Sequence, residues 1–79
     1  MSNAKKARQK VLTPGSEQNV SFDELIAVLS VEGFCRDGGK GSHEVWRHPD
    51  GRKITLPRHG NVIKPVYIKT ARALLQDAP

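Results

Sequence analysis

Pro49-Asp50-Gly51 lies between two runs of alternating character, Glu44-Val45-Trp46-Arg47-His48 and Arg52-Lys53-Ile54-Thr55-Leu56, and no other stretch constrains the fold as tightly. Proline and aspartate suit the centre of a type I turn, and glycine suits the left-handed bulge position that closes a three-residue hairpin loop. This loop sets the register. His48 opposes Arg52, Arg47 opposes Lys53, Trp46 opposes Ile54 and Glu44 opposes Leu56. Directly opposed residues share a face. Trp46, Ile54 and Leu56 therefore form an apolar inner face, while His43, Val45, Arg47, Lys53 and Thr55 point outward. Glu44 falls on the inner face, where it is tolerable near the strand end. Trp46 reads as a core residue beneath helices rather than as a base-stacking surface.

The flanking segments supply the helices. Ser21 and Glu24 make a capping box, with Val20 and Leu25 placed as its hydrophobic staple. Phe22, Leu25, Ile26 and Leu29 recur on one helical face, and Gly33 supplies a left-handed stop, so a helix is expected over Phe22 to Glu32. Phe34-Cys35-Arg36 suits a short strand, and Asp37-Gly38-Gly39-Lys40-Gly41 is a flexible connection whose Gly38 and Gly39 read as turn formers. Pro57-Arg58-His59-Gly60-Asn61 is loop, with His59 an ordinary loop residue. Lys64-Pro65 opens a last helix that buries Tyr67, Ile68, Ala71, Leu74 and Leu75. The expectation is an α+β fold of order α-β-β-β-α, a three-stranded antiparallel sheet with two helices on one face and the other face free. Double-stranded RNA-binding domains adopt this layout.

The 79 residues hold one domain and no second core. Residues 1–19 are polar and basic, with Lys5, Lys6, Arg8 and Lys10, and lack sustained apolar periodicity; they read as a flexible arm or a short appended helix, leaving 20–79 as the domain. Net charge is +5. From Gly38 to Arg72 eight cations (Lys40, Arg47, Arg52, Lys53, Arg58, Lys64, Lys69, Arg72) face two anions (Glu44, Asp50). That half should attract a polyanion such as nucleic acid, although charge alone is also met by a soluble basic surface with no ligand. The single cysteine, Cys35, excludes an internal disulfide and a CxxC zinc framework. A reducing cytoplasm is the expected setting, with no metal or other cofactor. No secretory signal or membrane-spanning run is visible.

Lys40-Gly41-Ser42-His43, followed by Trp46, His48-Pro49-Asp50-Gly51-Arg52, Thr55-Leu56-Pro57, His59-Gly60 and Ile63-Lys64-Pro65, resembles the HicA (YcfA-like) toxins of HicAB toxin-antitoxin systems. The resemblance covers roughly Val20 to Leu75. It departs in the extra basic segment of about nineteen residues and in Val66-Tyr67, where the family often has Gly-Thr. It implies a cytoplasmic mRNA interferase of double-stranded-RNA-binding-like fold, inhibited by a HicB-type antitoxin, with the histidine of Gly-Ser-His, here His43, catalytic.

On that footing His43 would take the proton of a ribose 2′-OH, which attacks phosphorus and leaves a 2′,3′-cyclic phosphate. Imidazole suits the task because its ordinary pKa of about 6.5 keeps both protonation states populated near neutrality. Lys40, Arg47 and Lys53 would offset charge on the phosphorane without a metal, and Ser42 would orient the phosphate or ring. The expected RNA-binding set is Lys40, Gly41, Ser42, Arg47, Lys53, Arg58 and Lys64. The proton donor to the leaving group stays open among water, His48 and Lys40, and His48 reads chiefly as structural or phosphate-contacting. A non-catalytic RNA-binding module with the same basic face is the alternative. A DNA-binding role ranks below both, for want of a helix-turn-helix signal.

Overall fold

The computed structural model describes residues 3–76 in the order α1 (Asn3–Leu12), a single 3-10 turn (Glu17–Asn19), α2 (Phe22–Glu32), β1 (Cys35–Arg36), β2 (His43–Arg47), β3 (Lys53–Pro57) and α3 (Pro65–Gln76). The fold is α+β. The three strands form one antiparallel sheet in the order β1-β2-β3.

Hairpin chemistry fixes the sheet as the turn demands. Gly51 sits at φ 103°, its amide bonds the His48 carbonyl at 2.9 Å, and the His48 amide bonds the Arg52 carbonyl at 2.8 Å. Pairing then runs Arg47 to Lys53, Trp46 to Ile54, Val45 to Thr55, Glu44 to Leu56 and His43 to Pro57. Trp46, Ile54 and Leu56 are buried, whereas His43, Arg47, Lys53 and Thr55 are exposed. The register and both faces thus follow the turn.

α2 begins with the reciprocal capping box of Ser21 and Glu24 and ends at Gly33. Its Phe22, Leu25, Val28 and Leu29 meet Ile68, Ala71 and Leu75 of α3 and the inner face of the sheet in one core. Burial of these side chains supplies the main driving force for the fold.

The segment expected as an arm or appended helix is α1, and it is part of that core. Ala7 and Val11 are buried with the residues of α2 and α3. Arg8 pairs with Glu32 at 2.8 Å and Lys10 with Glu24 at 2.6 Å. At the C-terminus of α1, Arg72 of α3 donates to the carbonyls of Val11 (2.6 Å) and Thr13 (3.0 Å) and pairs with Glu17. A guanidinium at a helix C-terminus satisfies carbonyls that the helix leaves free and complements its dipole. A flexible arm over 1–19 therefore does not describe residues 3–19; Met1, Ser2 and, at the far end of the expected domain, residues 77–79 lie outside the described residues. Among the described residues no helix is long and apolar enough to cross a membrane.

Glu44, awkward on the inner face, is 9% exposed and fully engaged. It accepts the indole N–H of Trp46 at 3.2 Å and faces Arg58 at 3.6 Å and Arg36 at 3.9 Å. Buried charge persists where it is paired and hydrogen-bonded in this way.

Candidate nucleic-acid interface and active site

His43 opens β2, immediately after the tight turn Lys40-Gly41-Ser42 that its own amide closes onto the Lys40 carbonyl at 3.0 Å. Three backbone features hold it. It pairs with Pro57 across the hairpin, and the next bond of the ladder joins the Arg58 amide to the Ser42 carbonyl at 2.5 Å. On the other side, Asp37 and Gly38 bond the backbone of Val45 at 2.7 and 3.0 Å. Gly39 then passes so close that a Cβ there would stand 2.1 Å from the His43 carbonyl oxygen. The imidazole is exposed, yet its backbone is clamped from both sides.

The side chain lines a cleft of about 500 Å³ with Pro57, His59, Val62, Ile63, Lys64 and Tyr67. That volume lies within the range of about 300–1,000 Å³ typical of ligand sites. Its walls come from the end of the hairpin, the β3–α3 loop and the first turn of α3. The loop is well anchored. Ile63 is buried, the Val62 amide bonds the His59 carbonyl at 3.3 Å, and Asn61 caps α2 with its carbonyl (3.1 Å to the Phe22 amide) and its side chain (2.8 Å to the Asp23 amide). Lys64 directly precedes Pro65, which has no N–H, and the Tyr67 amide bonds the Lys64 carbonyl at 3.0 Å, so the Lys64 charge, the Val66 amide and the positive end of the α3 dipole favour an anion there.

The expected site residues divide into three groups. Lys64 joins His43 in the cleft, and the exposed Lys40-Gly41-Ser42 turn adjoins His43 in the chain. Arg47 and Lys53 are paired at the other end of the hairpin. Arg47 lies four steps along the strand from His43, roughly 13 Å. Arg47 is also held by Asp37 at 2.6 Å, whereas Lys40, Lys53 and Lys64 form no ion pair among the described residues. Arg58 stands at the His43 end of the hairpin, next to Pro57, but does not line the cleft. It turns inward over the Phe22 ring, 4.5 Å from the centroid, and pairs with Asp23 and Glu44.

His48 is likewise structural in its contacts. Its Nε2 meets the Glu32 carbonyl at 3.2 Å, its Nδ1 accepts the Asp50 amide at 3.1 Å, and the ring packs edge-on against Phe34. It sits beyond the Arg47 end of β2, so the cleft is out of its reach as a proton donor. His59 and Tyr67 also line the cleft, though neither is among the expected site residues. Continuing the strand alternation past Pro57 finds the first of them: Arg58 turns inward and His59 outward, on the face of His43.

The family model described as "HicA toxin of bacterial toxin-antitoxin" matches residues 22–78. The chain belongs to the HicA toxin family. It is thus a toxin of a toxin-antitoxin pair, and an antitoxin is its implied partner. No curated protein and no solved structure matches the chain. The match to the HicA family begins at the first residue of α2, so α1, though built into the core, lies outside it.

Proposed function

We propose that this HicA-family chain is an mRNA endoribonuclease of the cytoplasm, on a double-stranded-RNA-binding-like scaffold, with His43 as the base that activates a ribose 2′-OH. The observation that carries this reading is the placement of His43: exposed, on a clamped strand, and sharing a cleft with Lys64 and the start of α3. The 2′ oxygen attacks phosphorus, the bond to the 5′ oxygen breaks, and a 2′,3′-cyclic phosphate remains. Lys64 and the Val66 amide hold the non-bridging oxygens as their charge grows, an electrostatic role that strengthens toward the transition state. Lys40, Gly41 and Ser42 border the reacting phosphate, while Arg47 and Lys53 hold neighbouring phosphates about four residues along the strand. Arg58 contributes indirectly, by fixing Glu44 and the hairpin end. A HicB-type antitoxin that covers the cleft and its cations would silence the site and gain association rate from opposite charge.

The test is incubation of the protein with single-stranded RNA in EDTA, comparing it with His43→Ala. The wild type should cut, and the variant should lose about 10²–10⁴-fold in rate, the usual worth of general base catalysis. Because His43 is exposed, the variant should keep its fold, read by circular dichroism. Unchanged cleavage by the variant removes His43 from the mechanism. Salt-sensitive RNA binding without cleavage by either protein establishes the non-catalytic binding module instead.

A further inference from the structure

Breaking the phosphodiester requires a proton for the departing 5′ oxygen as well as a base for the 2′-OH, and His43 can serve only one of these at a time. We propose that His59 is the second catalytic residue of the cleft, the general acid that protonates the 5′ leaving oxygen; this rests on the ribonuclease reading above.

The hairpin end and the loop that follows it bring the two side chains into one cleft. His43 pairs with Pro57, and the Arg58–Ser42 bond continues the ladder by one step. Arg58 turns inward onto Phe22, so the next residue faces outward, as His43 does. His59 lies two residues past Pro57, beyond the end of β3 and in a bridge with Val62, on the loop that forms the wall of the cleft facing His43. A phosphodiester between the rings can present its 2′ oxygen to one and its 5′ oxygen to the other, each within hydrogen-bond reach of about 2.6–3.2 Å. Both side chains line the same cleft.

His59 is also held for the task. Its carbonyl is bonded by the Val62 amide, Asn61 is fixed to the start of α2, and Ile63 is buried. The other titratable groups facing the cleft are Lys64 and Tyr67. Among these side-chain types imidazole best matches proton donation near neutrality. Lys64 is instead placed as a fixed positive charge at the α3 N-terminus. His48, the other histidine, is bound to Glu32 and Asp50 away from the cleft.

The step balances. Neutral His43 takes the 2′ proton as the O2′–P bond forms, the P–O5′ bond breaks, and imidazolium His59 gives its proton to O5′. The products are a 2′,3′-cyclic phosphate and a 5′-hydroxyl, with His43 protonated and His59 neutral, and exchange with water resets both.

The experiment uses an RNA cleaved by the wild type, first to map a scissile linkage, then resynthesised with sulfur replacing the 5′ bridging oxygen at that linkage. A thiolate leaves without protonation. His59→Ala should lose about 10²–10⁴-fold on the oxygen substrate and recover to within a few-fold of wild type on the sulfur substrate. His43→Ala should fail on both. Equal impairment of His59→Ala on the two substrates would show a binding or structural role and overturn the proposal, as would wild-type cleavage of the oxygen substrate. A wild type that cuts no RNA would overturn the ribonuclease reading itself and the proposal with it.

Discussion

The backbone beside His43 leaves no room for a side chain at position 39. Gly39 has φ 136°, and a Cβ there would meet the His43 carbonyl oxygen at 2.1 Å and the Glu44 Cα at 3.0 Å. Both contacts are to backbone, which cannot swing aside as a flexible side chain would. Gly39→Ala must therefore move the His43 strand end, and catalysis is sensitive to misplacement on the order of 1 Å. RNA cleavage by Gly39→Ala should fall at least about tenfold while the helical circular dichroism is kept; wild-type cleavage would show that the contact does not position His43. In the sequence this glycine reads as one more turn former, because a close approach between residues 39 and 43 exists only once β1 and β2 pair. Arg58 shows the opposite situation. Its inward direction is implied by the register read from Pro49-Asp50-Gly51, but a cation beside a loop is easily assigned to the ligand-facing set.

Elements whose signals are local are legible in the chain, and elements fixed by packing are not. The hairpin, the capping box of α2 and the start of α3 at Pro65 each depend on residues within a few positions, and each appears where its residues place it. α1 depends on Ala7 and Val11, four residues apart in a run rich in Lys and Arg. Two small apolar residues give almost no periodicity, and their burial comes from partners in α2 and α3. A charge at the Ala7 position tests this packing. Ala7→Glu would place an unpaired carboxylate and extra volume where the side chain is 1% exposed, costing about 3 kcal/mol or more. The melting temperature should fall by about 10 °C or more. An unchanged melting temperature would show that the segment does not pack into the core.

Across the whole molecule, positive charge is partly spent on holding the fold and partly left for a ligand. Arg72 joins α3 to the 3-10 turn through Glu17 and to α1 through the Val11 carbonyl, and Lys10 with Glu24 ties α1 to α2. The Arg72 guanidinium, with the Gly15 amide, holds the Glu17 carboxyl below its ordinary value of 4.5, and Lys10, with the Ser21 amide, does the same for Glu24. A carboxyl lowered in the folded state contributes stability above its unfolded pKa and loses it as pH falls through the folded value. The melting temperature should hold from neutrality to about pH 4.5 and decline below it. Glu24→Gln, which keeps the capping box, should be less stable than wild type at neutral pH and converge with it in acid; parallel curves would contradict the Lys10 assignment. Lys40, Lys53 and Lys64 remain for the ligand, two of them at or next to the His43 end. What the cleft does with that ligand is read most directly from the ends of the cleaved RNA. Mass spectrometry of fragments produced in EDTA should find 2′,3′-cyclic phosphate on one side of the cut and 5′-hydroxyl on the other, and none from an RNA with 2′-deoxyribose at the scissile position. Fragments ending in 3′-hydroxyl and 5′-phosphate, or cleavage of the deoxy-substituted linkage, would contradict activation of the 2′-OH by His43.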